Sequence, residues 1–187
     1  MNSIDIKFYK HPIYKDYAAT ENGEVYSLKN DKIRLIKQRE NKEEYLRFNL
    51  YFNKKMKVYP SHRFVFECLN NRLIEKNKQI DHINKNKKDN RIVNLREVSR
   101  NTNNLNRLNN KEIDKLPEDA VQVANFNDNL FINIYFSPST NCIYKSSDDY
   151  IFEIPFKSGN RVGINNTENK TVRIYLNKLR ISLGFEN

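Results

Sequence analysis

Asp81-His82-Ile83-Asn84, Asp89-Asn90-Arg91, Asn94-Leu95-Arg96 and the Asn-rich run around Asn103 assemble the residue types of one kind of chemistry. A carboxylate stands beside an imidazole, a carboxamide follows twelve residues after His82, and another follows nine residues later. An imidazole can take up a proton near neutral pH. A carboxylate and an amide both offer hard oxygens to a divalent cation. One acid, one base and two amides in a single pocket can make a metal-assisted phosphodiesterase.

Those residues need elements to bring them together. Lys78 to Ile83 alternates apolar and polar positions and reads as a half-buried strand, and the Asn, Lys and Asp of residues 84–91 read as a loop. Ile92 to Val98 reads as the returning strand. Ser99 is a plausible N-cap for a helix to about Leu108, with Leu105 and Leu108 on its apolar side. At 100° per residue, Asn103, Asn106, Arg107 and Asn110 fall toward the other side, a candidate wall of the site. Neighbouring strand residues point to opposite faces, so Asp81 and His82 share a pocket only where their strand ends and curls. Upstream, Tyr59-Pro60-Ser61 breaks a strand, and Ser61 can cap a helix through about Asn70 whose apolar side is Phe64, Val65 and Cys68. His11 lacks any such context and is expected at the surface.

At these residues the chain resembles the HNH nucleases of the ββα-metal superfamily, in the phage and homing type whose third letter is Asn. The family pattern is a D-H-x-(D/N) turn, a loop ending D-N-R, then N-L-R and an S/T-x-x-x-N helix start. It is met here by Asp81-His82-Ile83-Asn84, Asp89-Asn90-Arg91, Asn94-Leu95-Arg96 and Ser99 through Asn103, within roughly residues 58 to 110. The resemblance implies that His82 is the general base that deprotonates water. It implies that Asp81 and Asn103 hold one divalent cation per active site, Mg²⁺ or Mn²⁺, and that Asn94 orients the His82 ring. The family commonly carries a His-Arg pair where His62-Arg63 stands, so Arg63 either touches a phosphate, braces the site, or only ties its helix to the hairpin. Arg63, Lys85, Lys87, Lys88, Arg91, Arg96 and Arg107 are the candidate DNA contacts.

Charge agrees with a polyanionic partner. The formal net charge is +10, and nearly all of it sits in residues 1–120, with 26 Lys and Arg against 17 Asp and Glu; residues 121–187 hold 7 against 6. Double-stranded DNA is the simple explanation, because each neutralised phosphate releases counterions. No apolar run approaches the roughly 20 residues that span a bilayer. Met1-Asn2-Ser3-Ile4-Asp5 is not the start of a secretory signal. A cytoplasmic location, or the host cytoplasm for a phage or viral product, is expected. Cys68 and Cys142 are isolated, which argues against a disulfide framework and a structural zinc.

The chain reads as an α+β protein, a ββα-metal core flanked by two small antiparallel β modules. Residues 1–60 form the first module, with strands near Glu24 to Leu28, Ile33 to Lys37, Tyr45 to Phe52 and Met56 to Tyr59. Its run from Tyr14 to Leu28 resembles the small module that often precedes an HNH core. Residues 61–110 are the core and 111–120 a connector. Residues 121–187 are a second β module, with strands expected at 121–124, 130–136, 142–145, 150–156 and 171–176. That module is a candidate worn repeat of the first, since Val25-Tyr26 recurs as Ile143-Tyr144, Ile33 with Ile36 as Ile151 with Ile154, and Val58-Tyr59 as Ile174-Tyr175. Three functions follow from the residues and the resemblance. They are a site-specific homing or phage-type endonuclease leaving 5′-phosphate and 3′-hydroxyl ends, a dimeric restriction-type enzyme, and a DNA-binding protein without catalysis. Monomer and homodimer both stay open.

Overall fold

A computed structural model describes residues 6–108 and 110–185. The N-terminal pentapeptide and Asn109, in the last residues of the expected core, lie outside them. The protein is mixed, with short helices and many small antiparallel sheets, and it divides into two compact units, Met1–Asn103 and Asn104–Asn187.

In the first unit, β1 (Tyr9–Lys10), β2 (Tyr17–Ala19), β3 (Val25–Ser27) and β4 (Arg34–Leu35) form a four-stranded sheet in chain order. β5 (Arg39–Glu40), β6 (Leu46–Phe52) and β7 (Lys55–Pro60) form a second sheet, and α1 (Ser61–Leu69) follows directly. β6 alternates Phe48 and Leu50 inward with Arg47 and Asn49 outward, the period-2 pattern of a strand with one wet face. β8 (Lys78–His82) and β9 (Leu95–Ser99) pair antiparallel, Asp81 opposite Arg96 and His82 opposite Leu95, and α2 (Arg100–Arg107) continues from β9. The expected division at residue 60 is not a boundary. Tyr17, Val25, Phe48, Phe64, Ile80 and Leu95 share one hydrophobic core, so the β module and the hairpin fold as one body.

In the second unit β10 (Lys111–Ile113) lies inside the expected connector and pairs with a later strand. β11 (Val121–Gln122), a small hairpin of β12 (Asn125–Phe126) and β13 (Asn129–Leu130), β14 (Ile134–Ser137), β15 (Cys142–Ser147) and β16 (Tyr150–Pro155) follow, with sheet order β10-β16-β15-β14-β11. β17 (Arg161–Asn165) and β18 (Thr171–Tyr175) make a separate two-stranded ribbon, and α3 (Leu176–Ser182) is the last element among the described residues. β17 and α3 were not expected from sequence, and the expected strand at 130–136 is split between β13 and β14.

Several expectations are corrected by burial. His11 is wholly buried: its Nδ1 accepts from the backbone N–H of Ile13 and Tyr14 at 3.1 Å each, and its Nε2–H donates to Glu67 Oε2 at 3.1 Å. Ser61 is not the cap, since Pro60 occupies that position and the buried Ser61 Oγ has no hydrogen-bond partner among the described residues. Leu108 is exposed, and Leu105 alone carries the apolar side of α2, packing into the core of the second unit. Ile92–Asn94 is a 3-10 turn because Ile92 N–H donates to Glu21 O and Asn94 N–H to Arg91 O, which delays the returning strand to Leu95.

Glu67 is the centre of the buried polar cluster in the first unit. It accepts from His11, from Tyr59 Oη at 2.6 Å and from Ile74 N–H at 3.4 Å. Burial pushes its pKa up, yet the hydrogen bonds from His11 and Tyr59 outweigh burial and hold it below the ordinary 4.5. A carboxyl depressed on folding contributes stability above its unfolded pKa and loses it as pH falls through its folded pKa. Glu67→Ala should cost about 3–5 kcal/mol by leaving the other groups unpaired. In urea titrations the gap between parent and Glu67→Gln should be full near about pH 6 and close below 4.5; a gap unchanged in acid would refute this role.

Candidate active site

The site is built where β8 stops. His82 is the last paired residue, Ile83 N–H still reaches Asn94 O at 2.9 Å, and Lys85 N–H then folds back to His82 O at 2.9 Å with Lys85 at φ 65°. The loop that follows is held by side chains. Asn94 Oδ1 accepts from Asn84 N–H at 2.9 Å, and Asn94 Nδ2 donates to Asp89 O at 2.8 Å. Asn84 Nδ2 donates to Asp89 Oδ2 at 2.8 Å, and Arg91 grips Asp89 through Nε and Nη2 at 2.8 and 2.7 Å. The Arg91 bonds hold the Asp89 carboxyl far below the usual range.

His82 is buried, and its Nε2 lies 3.0 Å from Asn90 Oδ1. An amide oxygen only accepts, so Nε2 carries the proton and the basic lone pair sits on Nδ1. The ring is therefore oriented by Asn90, whereas Asn94, given that task from sequence, uses both ends of its amide on the loop. Burial pulls the His82 pKa below 6.5, against the bond to Asn90 and the charge of Asp81, which favours the unprotonated ring at neutral pH. Tyr45 and His62 pack against it at ring-centroid distances of 5.8 and 5.3 Å. Burial, with His82 and Arg63 nearby, lowers the His62 pKa to about 3, so this second imidazole stays neutral.

Asp81 faces the other side of β8. It is buried, and its Oδ2 accepts from Arg96 Nε at 3.0 Å. That pairing corrects the assignment of Arg96 to DNA, because a buried guanidinium bonded to a carboxylate is not presented to a phosphate. Gln79 is two residues before Asp81 and hence on the same strand face. Asn103 Nδ2 donates to Gln79 Oε1 at 2.6 Å, which brings Asn103 to the Asp81 side of the hairpin. Ser99 secures the start of α2, its Oγ accepting from Thr102 N–H at 3.2 Å.

The donor chemistry fits a hard divalent cation. Asn103 spends its N–H on Gln79, so the atom it can offer is Oδ1, alongside the carboxylate of Asp81. Among the described residues no group of three or more His, Cys, Asp or Glu is placed to hold a metal ion, so a cation here would rest on one carboxylate, one amide and oxygens from water and substrate. The remaining expected DNA contacts separate by exposure. Lys85 and Arg107 are exposed. Lys88 pairs with Glu40 at 2.9 Å and Arg91 with Asp89. Lys87 is partly covered, donates to Glu43 O at 3.0 Å and lies over the Tyr45 ring at 5.2 Å. Arg63 is half-buried on α1 beside His62. Asn90, Gln79, Tyr45 and His62 were given no role from sequence, although Asn90 stands in the Asp89-Asn90-Arg91 motif and His62 in the His62-Arg63 pair.

The turn between β2 and β3 supports the loop. Gly23, at φ +82°, lies so close to Asn90 that a Cβ there would stand 2.7 Å from Asn90 C and O. Glu21 O accepts from Ile92 N–H at 2.9 Å in the same place.

Comparison with known proteins agrees with the motif. Residues 59–105 match the family model described as HNH endonuclease, and so carry that family's pattern. A solved structure titled "DNA binding and cleavage by the HNH homing endonuclease I-HmuI" is 29% identical with a TM-score of 0.48, covering 56% of this chain. The chain spans 59% of that protein's length. No curated protein matches.

Gly23→Ala should lower stability by about 1–3 kcal/mol for its φ alone and by more for the clash, moving Asn90 and releasing the His82 ring. Gly159, at φ +79° with nothing within 4 Å of a Cβ, supplies the control: Gly159→Ala should meet only the φ penalty. Equal losses for the two variants in chemical denaturation would remove the Gly23–Asn90 contact from the account.

Proposed function

We propose that residues 59–105, an HNH endonuclease segment, make this chain a divalent-metal-dependent DNA endonuclease, with Mg²⁺ as the cation, leaving 5′-phosphate and 3′-hydroxyl ends. The observation that carries the reading is the placement of His82 at the end of β8, buried, with Nε2–H on Asn90 Oδ1 and its lone pair on Nδ1, next to Asp81 on the opposite strand face. A base in that tautomer takes the proton of an attacking water at Nδ1, and Asn90 accepts from the opposite nitrogen throughout. Proton transfer needs no movement of the ring, because Asn90, Tyr45 and His62 fix it on several sides.

Asp81 and Asn103 would hold the cation, which when bound supplies charge stabilisation at the scissile phosphate and the leaving oxygen. Arg96 Nε donates to Asp81 Oδ2 at 3.0 Å and so aims that carboxyl group. Exposed Lys85 and Arg107 are suited to the phosphate backbone, where Lys and Arg contacts set register and affinity. Site-specific cutting of the homing or phage type, by a monomer that nicks one strand or a pair that cuts both, is the reading consistent with this single constellation; solution mass with end-mapping of a digested plasmid distinguishes the two.

His82→Ala should slow plasmid cleavage by about two to four orders of magnitude while leaving duplex affinity nearly unchanged, since removing a general base costs rate and not binding. Retained cutting by that variant would sink the mechanism.

Because Asp81 is bonded to Arg96 in the interior, the metal is better tested with the isosteric Asp81→Asn than with a truncation. Asp81→Asn should abolish Mg²⁺-supported cutting with an unchanged circular dichroism spectrum, and Asn103→Asp should keep part of it, both carboxylate and amide being hard oxygen donors. Cleavage by the unmodified protein in excess EDTA would refute the assignment.

A further inference from the structure

The strand registers of the second unit correspond to those of the first, pair for pair. In the first unit Ala19 faces Val25 and Tyr9, and Tyr26 faces Leu35. In the second Phe136 faces Ile143 and Val121, and Tyr144 faces Glu153. The hairpins agree as well: Arg47↔Pro60, Phe48↔Tyr59, Asn49↔Val58 and Tyr51↔Met56 correspond to Arg161↔Tyr175, Val162↔Ile174, Gly163↔Arg173 and Asn165↔Thr171. Burial keeps the same phase, Phe48, Leu50 and Tyr59 inward in one and Val162, Ile164 and Ile174 in the other, with Phe64 and Leu179 both fully buried on the helices that follow. Off-hairpin bonds match too, His11 N–H to Tyr17 O and Val123 N–H to Ile134 O. This equivalence places Lys178 at the position of Arg63, one step away from the alignment that pairs Tyr59 with Tyr175.

The outward face of the β17–β18 ribbon is Arg161, Gly163 and Asn165 on one strand and Thr171, Arg173 and Tyr175 on the other. Residues 157–180 hold Lys157, Arg161, Lys170, Arg173, Lys178 and Arg180 against the single acid Glu168, whereas residues 121–156 hold Lys145 against Asp128, Asp148, Asp149 and Glu153. A nearly neutral unit therefore has its cations gathered around one ribbon. Glu168 is paired with Lys170, and Arg180 donates to Asn141 Oδ1. Arg161 and Arg173 meet no carboxylate among the described residues. Gly163, opposite Arg173, adds no side chain of its own to that face, and the Thr171 methyl lies 3.1 Å from where its Cβ would stand.

We propose that the second unit is a repeat of the first unit's β module without its catalytic hairpin, and that the outer face of its β17–β18 ribbon seats in the major groove of duplex DNA. The major groove admits a two-stranded ribbon, and the face carries the side chains that read it: arginine bidentate to guanine, asparagine to adenine. Lys178, beside the Tyr175 ring at 5.8 Å, and Lys157 flank the face for phosphate contact. Arg161 is the counterpart of the exposed Arg47, so one outward cation recurs in the two modules. The choice of DNA as the polyanion rests on the nuclease reading of the first unit; the ribbon itself does not.

The test uses the full chain with His82→Ala, so that bound DNA is not cut, and compares it with the same chain carrying Arg161→Ala and Arg173→Ala. The probes are a mixed-sequence duplex of about 40 bp, long enough for several helical turns, and a randomised duplex pool from which bound molecules are sequenced. The double variant should bind at least about tenfold more weakly, with the slope of log Kd against log salt reduced by about 1 to 2. The bound pool should lose preference at a few neighbouring positions and keep it elsewhere. Unchanged slope and preferences would overturn the proposal while leaving the nuclease reading intact, as would a change in solution mass, which would make the ribbon a contact between copies. Ribbon-dependent binding by a chain that, with His82 restored, cuts no plasmid would leave this inference standing and remove the other. Absence of duplex binding by the parent would overturn both.

Discussion

The two hydrogen bonds of the Asn94 side chain, to Asn84 N–H and to Asp89 O, give a fixed shape to a run of Asn, Lys and Asp that has little apolar surface of its own. The hydrogen bond that orients His82 depends on that closure. Asn90 sits inside the closed loop, and its amide oxygen fixes the tautomer of the ring. Asn94 is buried, so losing either bond would leave a buried polar group unsatisfied, at a cost of about 1–3 kcal/mol. The loop is also fastened from outside, by Gly23 against Asn90 and by Glu21 O on Ile92 N–H. A module that reads in sequence as a separate neighbour is thus part of the support of the active-site loop.

Two electrostatic conditions are met side by side on β8. Asp81 lies in the interior with the Arg96 guanidinium bonded to it. His82, one residue on and facing the other way, is kept neutral by burial. The alternation of the strand separates the two groups, and its ending at His82 lets the ring lean against the loop and against His62 and Tyr45. His62 adds an apolar-like ring without adding a positive charge, since its own pKa is lowered to about 3. A second imidazolium at His62 would disfavour protonation of the His82 ring.

Local pattern carried much of this. The strand at Lys78, the helix from Ser61, the cap at Ser99 and the alternation of β6 were all legible, because each depends on residues within a few positions of one another. What failed depended on distant partners. His11 is buried because Glu67 lies 56 residues away, and no local signal announces such a pair. Arg96 looked like one more cation until Asp81 stood opposite it in the hairpin. Leu108 has the same residue type as Leu105 and stands three positions on, yet only Leu105 finds a core to enter. β17 was missed because Gly163 and the Asn residues around it weaken the strand signal, although its inward Val162 and Ile164 alternate as they should. The spacing of Asp81, His82, Asn94 and Asn103 was readable, but the division of labour between Asn90 and Asn94 was not, since either amide stands at a workable distance along the chain.

The two units resolve the same packing problem with different chemistry. In the first, α1 is tied to β7 and to the chain just after β1 through Glu67, on which His11, Tyr59 and Ile74 N–H converge. In the equivalent places the second unit has Val123, Ile174 and Ser182, and its helix is seated by Leu179 in an apolar core. Apolar contacts are non-directional and tolerate a small slide of one element along another, whereas a slide of α1 would break three directional bonds to one buried carboxylate together. α1 also carries His62, whose ring must stay 5.3 Å from His82 to be part of the wall around it. The helix that sets His62 against His82 is held through a buried carboxylate, whereas α3 is seated by Leu179 and fastened at its rim by Arg180, which donates to Asn141 Oδ1.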